Sequence, residues 1–233
     1  MKIVNGFLVF GIFTTLLNAV DFDKRLEMSY VNTAGNSNAS TFSGKVEIDA
    51  QLDEDQEVKS KGTYLNSKND EKTSADKFDL ELDYNHMIGD RLYTYLGANY
   101  IKDKLSDYKS RLTIGPGLGY KFINTDIEIL DIQGGLDYAF DRHTNGEKDD
   151  YFAPRTQITY KYKIRENIQL KQMFSYLVSF EDTKKYFFAS ESGVAVKMVE
   201  NLSLGASYRI DYINQTQKKN TDRKFLTSLI FDF

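Results

Sequence analysis

Three features of this chain carry residue types that could do chemistry. The stretch "SRLTIGPGLGYKF", Ser110–Phe122, sets Gly115, Gly117 and Gly119 at every second position. Closely spaced glycines suit a phosphate-cradling loop, because bare backbone N–H groups can then close on an anion. The stretch "DRHTNGEKDD" gathers His143 with Asp141, Asp149 and Asp150, an acid and imidazole set of the kind that activates water for hydrolysis. The third feature is a phase: acids and bases recur at alternate positions through most of the chain.

Each chemical reading meets a limit in the sequence. A phosphate loop needs a helix N-terminus after its glycines, yet "YKF" continues the alternation and "NTD" turns the chain. His86 is the only other histidine, and neither histidine has a serine in the short fixed spacing of outer-membrane phospholipases. The acids around His143 do not follow the twelve-residue ligand order of a Ca²⁺ loop. With no cysteine, thiolate metal sites, cysteine catalysis, disulfides and thiol-linked lipid anchors are excluded. The sequence therefore implies no catalytic residue, no cofactor and no metal. The charge of -4 on 233 residues gives no drive toward nucleic acid.

The elements that position these residues are strands. Period two dominates and no 3.6-residue period persists. Phe152, Pro154, Thr156, Ile158, Tyr160 and Tyr162 fall on one face, opposite Arg155, Gln157, Thr159, Lys161 and Lys163. Leu202–Tyr212 and Phe78–Ile88 repeat the pattern. Twelve strands are predicted, near 24–33, 41–52, 57–67, 77–88, 91–102, 111–123, 127–141, 151–164, 168–180, 185–198, 202–213 and 223–233. The first and third alternate poorly, and Ile127 and Ile129 are out of phase with Leu130 and Ile132. Most reach the 9–11 residues that a tilted strand needs to cross a bilayer.

Short turns such as "GD", "NTD", "REN" and "VEN" alternate with polar links such as "AGNSNAS", "KNDEKTSA", "DKLSDYKS", "RHTNGEKDD" and "NQTQKKNTD". Short turns at one end and long loops at the other characterise outer-membrane barrels. The expected fold class is thus all-β, a single transmembrane antiparallel up-and-down barrel of about twelve strands with long extracellular loops and short periplasmic turns. Residues 1–19 carry Lys2, an apolar run and Ala19 before "DFDKR", so a cleaved signal peptide is expected there and a barrel domain over 20–233. Candidate girdle aromatics are Tyr100, Tyr138, Phe152, Phe188 and Tyr208 outside, with Phe122, Tyr162 and Phe231 toward the periplasm.

In this phase the glycine stretch is a strand. Leu112, Ile114, Pro116, Leu118, Tyr120 and Phe122 face out, while Arg111, Thr113, the three glycines and Lys121 face in. Pro116 cannot donate to a ladder, which predicts a bulge or a missing bond. The glycines predict an empty stripe on the lumen wall, where a long side chain from an opposite strand lies. The lumen-lining candidates are Lys45, Glu47, Asp79, Glu81, Asp83, Arg91, Arg111, Gly115, Gly117, Gly119, Lys121, Arg155, Lys161, Lys171, Glu191 and Arg209. Opposed charged walls would set a transverse field across a pore, screened by salt over about 10 Å. Paired across the lumen, the same charges would plug it, since buried ions must be compensated. A filled or very narrow lumen is the expectation.

"MSYVNTAGNSNAST", Met28–Thr41, "RLYTYLGANYIKDKLSDYKSRLTIGPGLGYKF", Arg91–Phe122, and the following "LDIQGGLDYAFDR" resemble the bacterial family of salt-induced outer membrane proteins, catalogued as domain of unknown function 481. The closing "FLTSLIFDF" resembles the C-terminal signal read by the barrel-assembly machinery, with Ser228 where that signal usually has glycine. The resemblance implies an outer-membrane barrel with no agreed activity and supplies no catalytic residues. The expected role is envelope structure or slow passive passage of small solutes, as a monomer in contact with outer-membrane lipid. Two alternatives remain: an extracellular-rim enzyme using Asp141, His143, Asp149 and Asp150, and a soluble periplasmic ligand-binding barrel with its apolar face inward.

Overall fold

Alternating side chains commit a segment to two faces, and a bilayer forces the backbone between those faces to pair completely. The computed structural model, which describes residues 21–33, 39–70 and 72–233, meets that demand by closure. The leader expected over residues 1–19 lies outside the described residues, as does most of the first polar link. The strands are β1 (Asp21–Thr33), β2 (Ala39–Gln51), β3 (Gln56–Asn69), β4 (Lys72–Met87), β5 (Leu92–Asp103), β6 (Tyr108–Asn124), β7 (Glu128–His143), β8 (Lys148–Arg165), β9 (Ile168–Val178), β10 (Tyr186–Val199), β11 (Leu202–Ile213) and β12 (Thr221–Asp232). Each pairs antiparallel with its sequence neighbours, and β12 returns to β1 to close the barrel.

The turns at 52–55, 88–91, 125–127, 166–167 and 200–201 gather at one end. At the other end the links are less uniform than their sequences suggest. The polar "KNDEKTSA" is mostly strand, because β3 and β4 run on to a turn at Asp70. Asp70 there takes φ 46°, a left-handed value that a short polar side chain tolerates. Links 104–107, 144–147, 179–185 and 214–220 remain as true loops.

The pleat sorts the chain as the alternation predicts. Phe152, Leu204, Phe225 and Leu229 stand on the outer surface with about half or more of their area open, the surface that lipid covers in a membrane barrel. Outer aromatics meet in pairs: Tyr138 with Phe140 and Phe152, Phe174 with Phe188, and Tyr176 with Tyr186 toward the loop end. Toward the turn end Tyr120 meets Phe122 and Tyr160 stacks on Tyr162. The phase break at Ile127–Ile132 is absorbed by a register shift, from Lys121↔Asp131 to Ile123↔Leu130.

Pro116 keeps its place opposite Leu96 in the β5–β6 ladder. On the β7 side the pairing passes from Ile114↔Tyr138 to Gly117↔Gly135 and skips Gly115 and Pro116. A missing amide proton explains that gap. At Gly115 an added Cβ would lie 2.2 Å from the Leu136 carbonyl oxygen and 2.6 Å from the Asp137 Cα, so this segment of β6 sits against β7 too closely for any side chain.

Candidate functional site

The site is the barrel interior. It holds one main cavity of about 420 Å³, within the roughly 300–1,000 Å³ of pockets that hold small ligands. A second space of about 80 Å³ shares part of its lining. Lys45, Glu47, Asp79, Glu81, Asp83, Arg111, Lys121, Arg155, Lys161, Lys171, Glu191 and Arg209 all stand on the wall of the main cavity. Two groups of candidates do not. Arg91 is exposed in the 88–91 turn, because β5 begins one residue later, at Leu92. The glycine stripe is not empty, and what covers it comes from the adjacent strands rather than from across the lumen.

Tyr93 and Tyr95 of β5 lie over β6. An added Cβ at Gly119 would meet the Tyr93 ring at 2.0 Å, and one at Gly117 would meet the Tyr95 ring at 2.2 Å. Beyond β6, a Cβ at Gly135 would stand 2.3 Å from the Tyr95 Oη. Glycines at these positions therefore let tyrosines lie flat across a neighbouring strand and reach the next one. Tyr93 uses that reach: its hydroxyl sits 2.9 Å from both carboxylate oxygens of Asp131, and Gln133 Nε2 donates to it at 2.8 Å. The "GPG" alternation is thus a bed for aromatic rings.

The charged wall is largely self-compensated. Lys45 Nζ lies 2.6 Å from Glu27 and 3.4 Å from Glu47, and Lys61 reaches Glu81 at 2.9 Å. Arg209 contacts Asp211 at 2.9 Å and Glu191 at 3.2 Å, and Asp211 also takes Lys224 at 3.2 Å. Among the described residues two ion pairs join strands across the lumen: Lys77 on β4 to Asp211 on β11 at 3.4 Å, and Lys171 on β9 to Glu47 on β2 at 3.9 Å. Arg155 of β8 approaches Asp137 at 3.1 Å, and its guanidinium extends to the wall at Gly97 beside Asp83. These bridges subdivide the interior while leaving the main cavity open between them.

Sequence reading missed Lys59, Lys61, Lys77 and Lys224, which line this interior. The two on β3 were obscured by its poor alternation. Cross-strand counting would have found Lys61, which sits between Glu47 of β2 and Glu81 of β4 in register.

At the loop end a denser cluster closes the side walled by β6 to β10. Arg111 binds Asp141 through two hydrogen bonds, at 2.6 and 3.1 Å. Tyr151 donates to the same carboxylate at 2.8 Å, and Lys185 bridges Asp141 and Asp149 at 3.1 Å each. The Arg111 guanidinium lies 3.2 Å from the Phe187 ring centroid, and Tyr151, Leu177, Ala139 and Ala153 pack beneath. His143 pairs with Asp149 at 2.9 Å and its ring touches Tyr108, while Asp150 is exposed. His86 is exposed at the turn end. Asp141 is therefore committed to an arginine and His143 to Asp149, so the acid and imidazole set of the rim-enzyme alternative is not gathered into one site.

Loops lock over this cluster. Asp107 accepts hydrogen bonds from Thr216 Oγ1 and the Gln217 amide, both at 2.6 Å, and from the Lys218 amide at 3.2 Å. The Thr216 bond, then those backbone bonds, hold its carboxyl below the ordinary aspartate value. Asp182 is lowered in the same way, first by Gln215 Nε2 at 2.7 Å.

A closed antiparallel barrel with an apolar belt outside and a charged, partly filled lumen has the architecture of an outer-membrane β-barrel. Solved structures agree on the fold. The NanC porin superposes with a TM-score of 0.57 at 9% identity, covering 91% of this chain and 98% of that one. An outer membrane channel of Pseudomonas putida F1 gives 0.57 at 8% identity over 91% and 95%. The translocator domain of the Neisseria meningitidis autotransporter NalP gives 0.52 at 11% identity over 98% and 95%. Among curated proteins, the uncharacterized protein YdiY of Escherichia coli K12 is 23% identical over 173 residues, 70% of this chain and 64% of that relative's length. Residues 26–233 match the family model described as "Protein of unknown function, DUF481", and the chain belongs to that family.

Proposed function

We propose that this protein is an integral outer-membrane barrel, carried across the inner membrane by a leader at residues 1–19 that is then cleaved. In this reading it passes small polar solutes slowly through a narrow, charge-balanced lumen. The observation that carries the reading is the main cavity of about 420 Å³, crossed but not filled by Lys77–Asp211 and Lys171–Glu47. A ring of both signs of charge favours polar solutes over apolar ones and selects weakly between anions and cations. The fold shared with a porin and a channel supports the same view. Insertion would use the barrel-assembly machinery, with "FLTSLIFDF" as the signal and a monomer as the product. A catalytic role at the rim receives less support, because Asp141 is held by Arg111 and Tyr151.

Planar-bilayer recording of the purified protein tests the proposal. Small stepwise openings are expected, larger in Asp211→Asn, where one crossing bridge is lost. Silence in both the native chain and that variant would leave a purely structural barrel.

A further inference from the structure

The barrel closes unevenly. β1 and β2 pair over the whole of Asp21–Thr33, and β11 and β12 pair from Leu202↔Phe231 to Tyr212↔Thr221. The seam between β1 and β12 is paired only from Arg25↔Asp232 to Met28↔Leu229, with one further exchange between Lys24 and Phe233. Continued in register, Ser29 would face Ser228, Tyr30 would face Thr227 and Val31 would face Leu226. No such pairing forms, so between residues 29–33 and 221–228 the ladder is missing toward the loop end.

An unpaired edge at membrane depth costs several kcal/mol per backbone group unless something polar reaches it. Here the inner side of the slit is polar. The small cavity lies directly behind it, lined by Ser29, Ser228 and Leu226 at the slit. The Ser29 hydroxyl is buried and has no hydrogen-bond partner among the described residues. The outer side is aromatic: Tyr30 is 66% exposed and Phe225 63% exposed on the lipid-facing surface. Deeper in, the lining itself holds five lysines and arginines against three acids, the carboxylates of Glu47, Glu81 and Asp211 that pair with these cations lying outside that lining. Lys45, Lys61 and Arg209 belong to it and to the wall of the main cavity, so the two spaces adjoin.

We propose that the β1–β12 slit is a lateral port for a single-chain membrane amphiphile with an acidic headgroup. The headgroup sits inside against Lys45, Lys61 and Arg209, and the acyl chain leaves between Tyr30 and Phe225 into the outer half of the bilayer. This function is independent of whether the lumen conducts small solutes. It accounts for three observations together: a seam paired at one end only, the Ser29 hydroxyl left unpartnered, and a lining richer in cations than in acids behind an aromatic gap.

The native chain has no tryptophan and no cysteine, which makes the test clean. A single tryptophan is placed behind the slit by Leu226→Trp, with Leu65→Trp as the second reporter on the same cavity, and on the far wall by Gln157→Trp. Each protein is folded into vesicles, with heat-modifiable gel migration as the folding control, and titrated with a fatty acid brominated along its chain. Quenching is expected at position 226 or 65 and not at 157, with the uncharged brominated alcohol at least tenfold weaker than the acid. Joining Tyr30→Cys to Thr227→Cys by a short bis-maleimide is expected to abolish it. Equal quenching at 226, 65 and 157, quenching indifferent to the staple, or equal response to acid and alcohol would overturn the proposal. So would an intermolecular cross-link through those cysteines, which would place a second copy of the chain on the seam.

Discussion

Replacing Gly117 with alanine tests the aromatic bed of the lumen wall most directly. The new Cβ would lie 2.2 Å from Tyr95 Cζ and 2.4 Å from its Oη, where relaxed carbon contacts lie near 3.5–4.0 Å. The ring must therefore shift by more than 1 Å. It has little room: Tyr95 is 3% exposed, rests against Gly135 as well as Gly117, and lies beneath the Arg155 guanidinium at 5.1 Å. Overpacking of this kind costs about 1–3 kcal/mol, at least a five-fold loss in the folding equilibrium. Gly134→Ala is the control, because nothing lies within 4 Å of a Cβ there. Urea unfolding in lipid vesicles, read by heat-modifiable migration, would measure both. Tyr95→Ala in the Gly117→Ala background should remove most of the added penalty, a coupling on the order of 1–3 kcal/mol in a double-mutant cycle. Equal stability of Gly117→Ala and Gly134→Ala, or additive effects of Gly117→Ala and Tyr95→Ala, would refute the reasoning.

Arg111→Leu should destabilise the barrel by roughly 1–3 kcal/mol, because Asp141 loses two guanidinium hydrogen bonds and keeps only Tyr151 and Lys185, measured by the same urea titration. The paired change Arg111→Leu with Asp141→Leu should restore most of that loss. Lys77→Met should raise single-channel conductance in planar bilayers by removing a contact that spans the lumen. The loop latch at Asp107 should respond to acid. Its carboxyl titrates below the ordinary aspartate value when the latch is formed, so the latch is fully favoured above an ordinary pKa near 3.9 and weakens as pH falls through the lowered one. Protection of residues 214–220 against hydrogen exchange, taken relative to the intrinsic rate at each pH, should be high at pH 6 and fall below about pH 4, whereas Asp107→Asn should show low protection at both.

Much of this protein is written locally. Alternation fixes which side chains share a face, because successive Cβ atoms of a strand point to opposite sides, so twelve strands and most of the charged lumen wall could be read from Phe78, Ile158 or Leu204 and their neighbours. Alternation also removed the nucleotide reading of Gly115, Gly117 and Gly119, since no helix follows them. Where the pattern was weak, on β3, Lys59 and Lys61 escaped notice. Where a turn ran one residue further than its phase suggested, Arg91 left the wall. Tertiary structure alone decided what lies against each face. A glycine specifies an absence of volume, but that Tyr93 and Tyr95 fill it depends on the β5–β6 register. A lysine specifies a charge, but the meeting of Lys77 with Asp211 depends on closure of a ring between residues 134 positions apart. The open end of the β1–β12 seam is hidden from sequence for the same reason, because pairing between the first and last strands exists only once the barrel has closed.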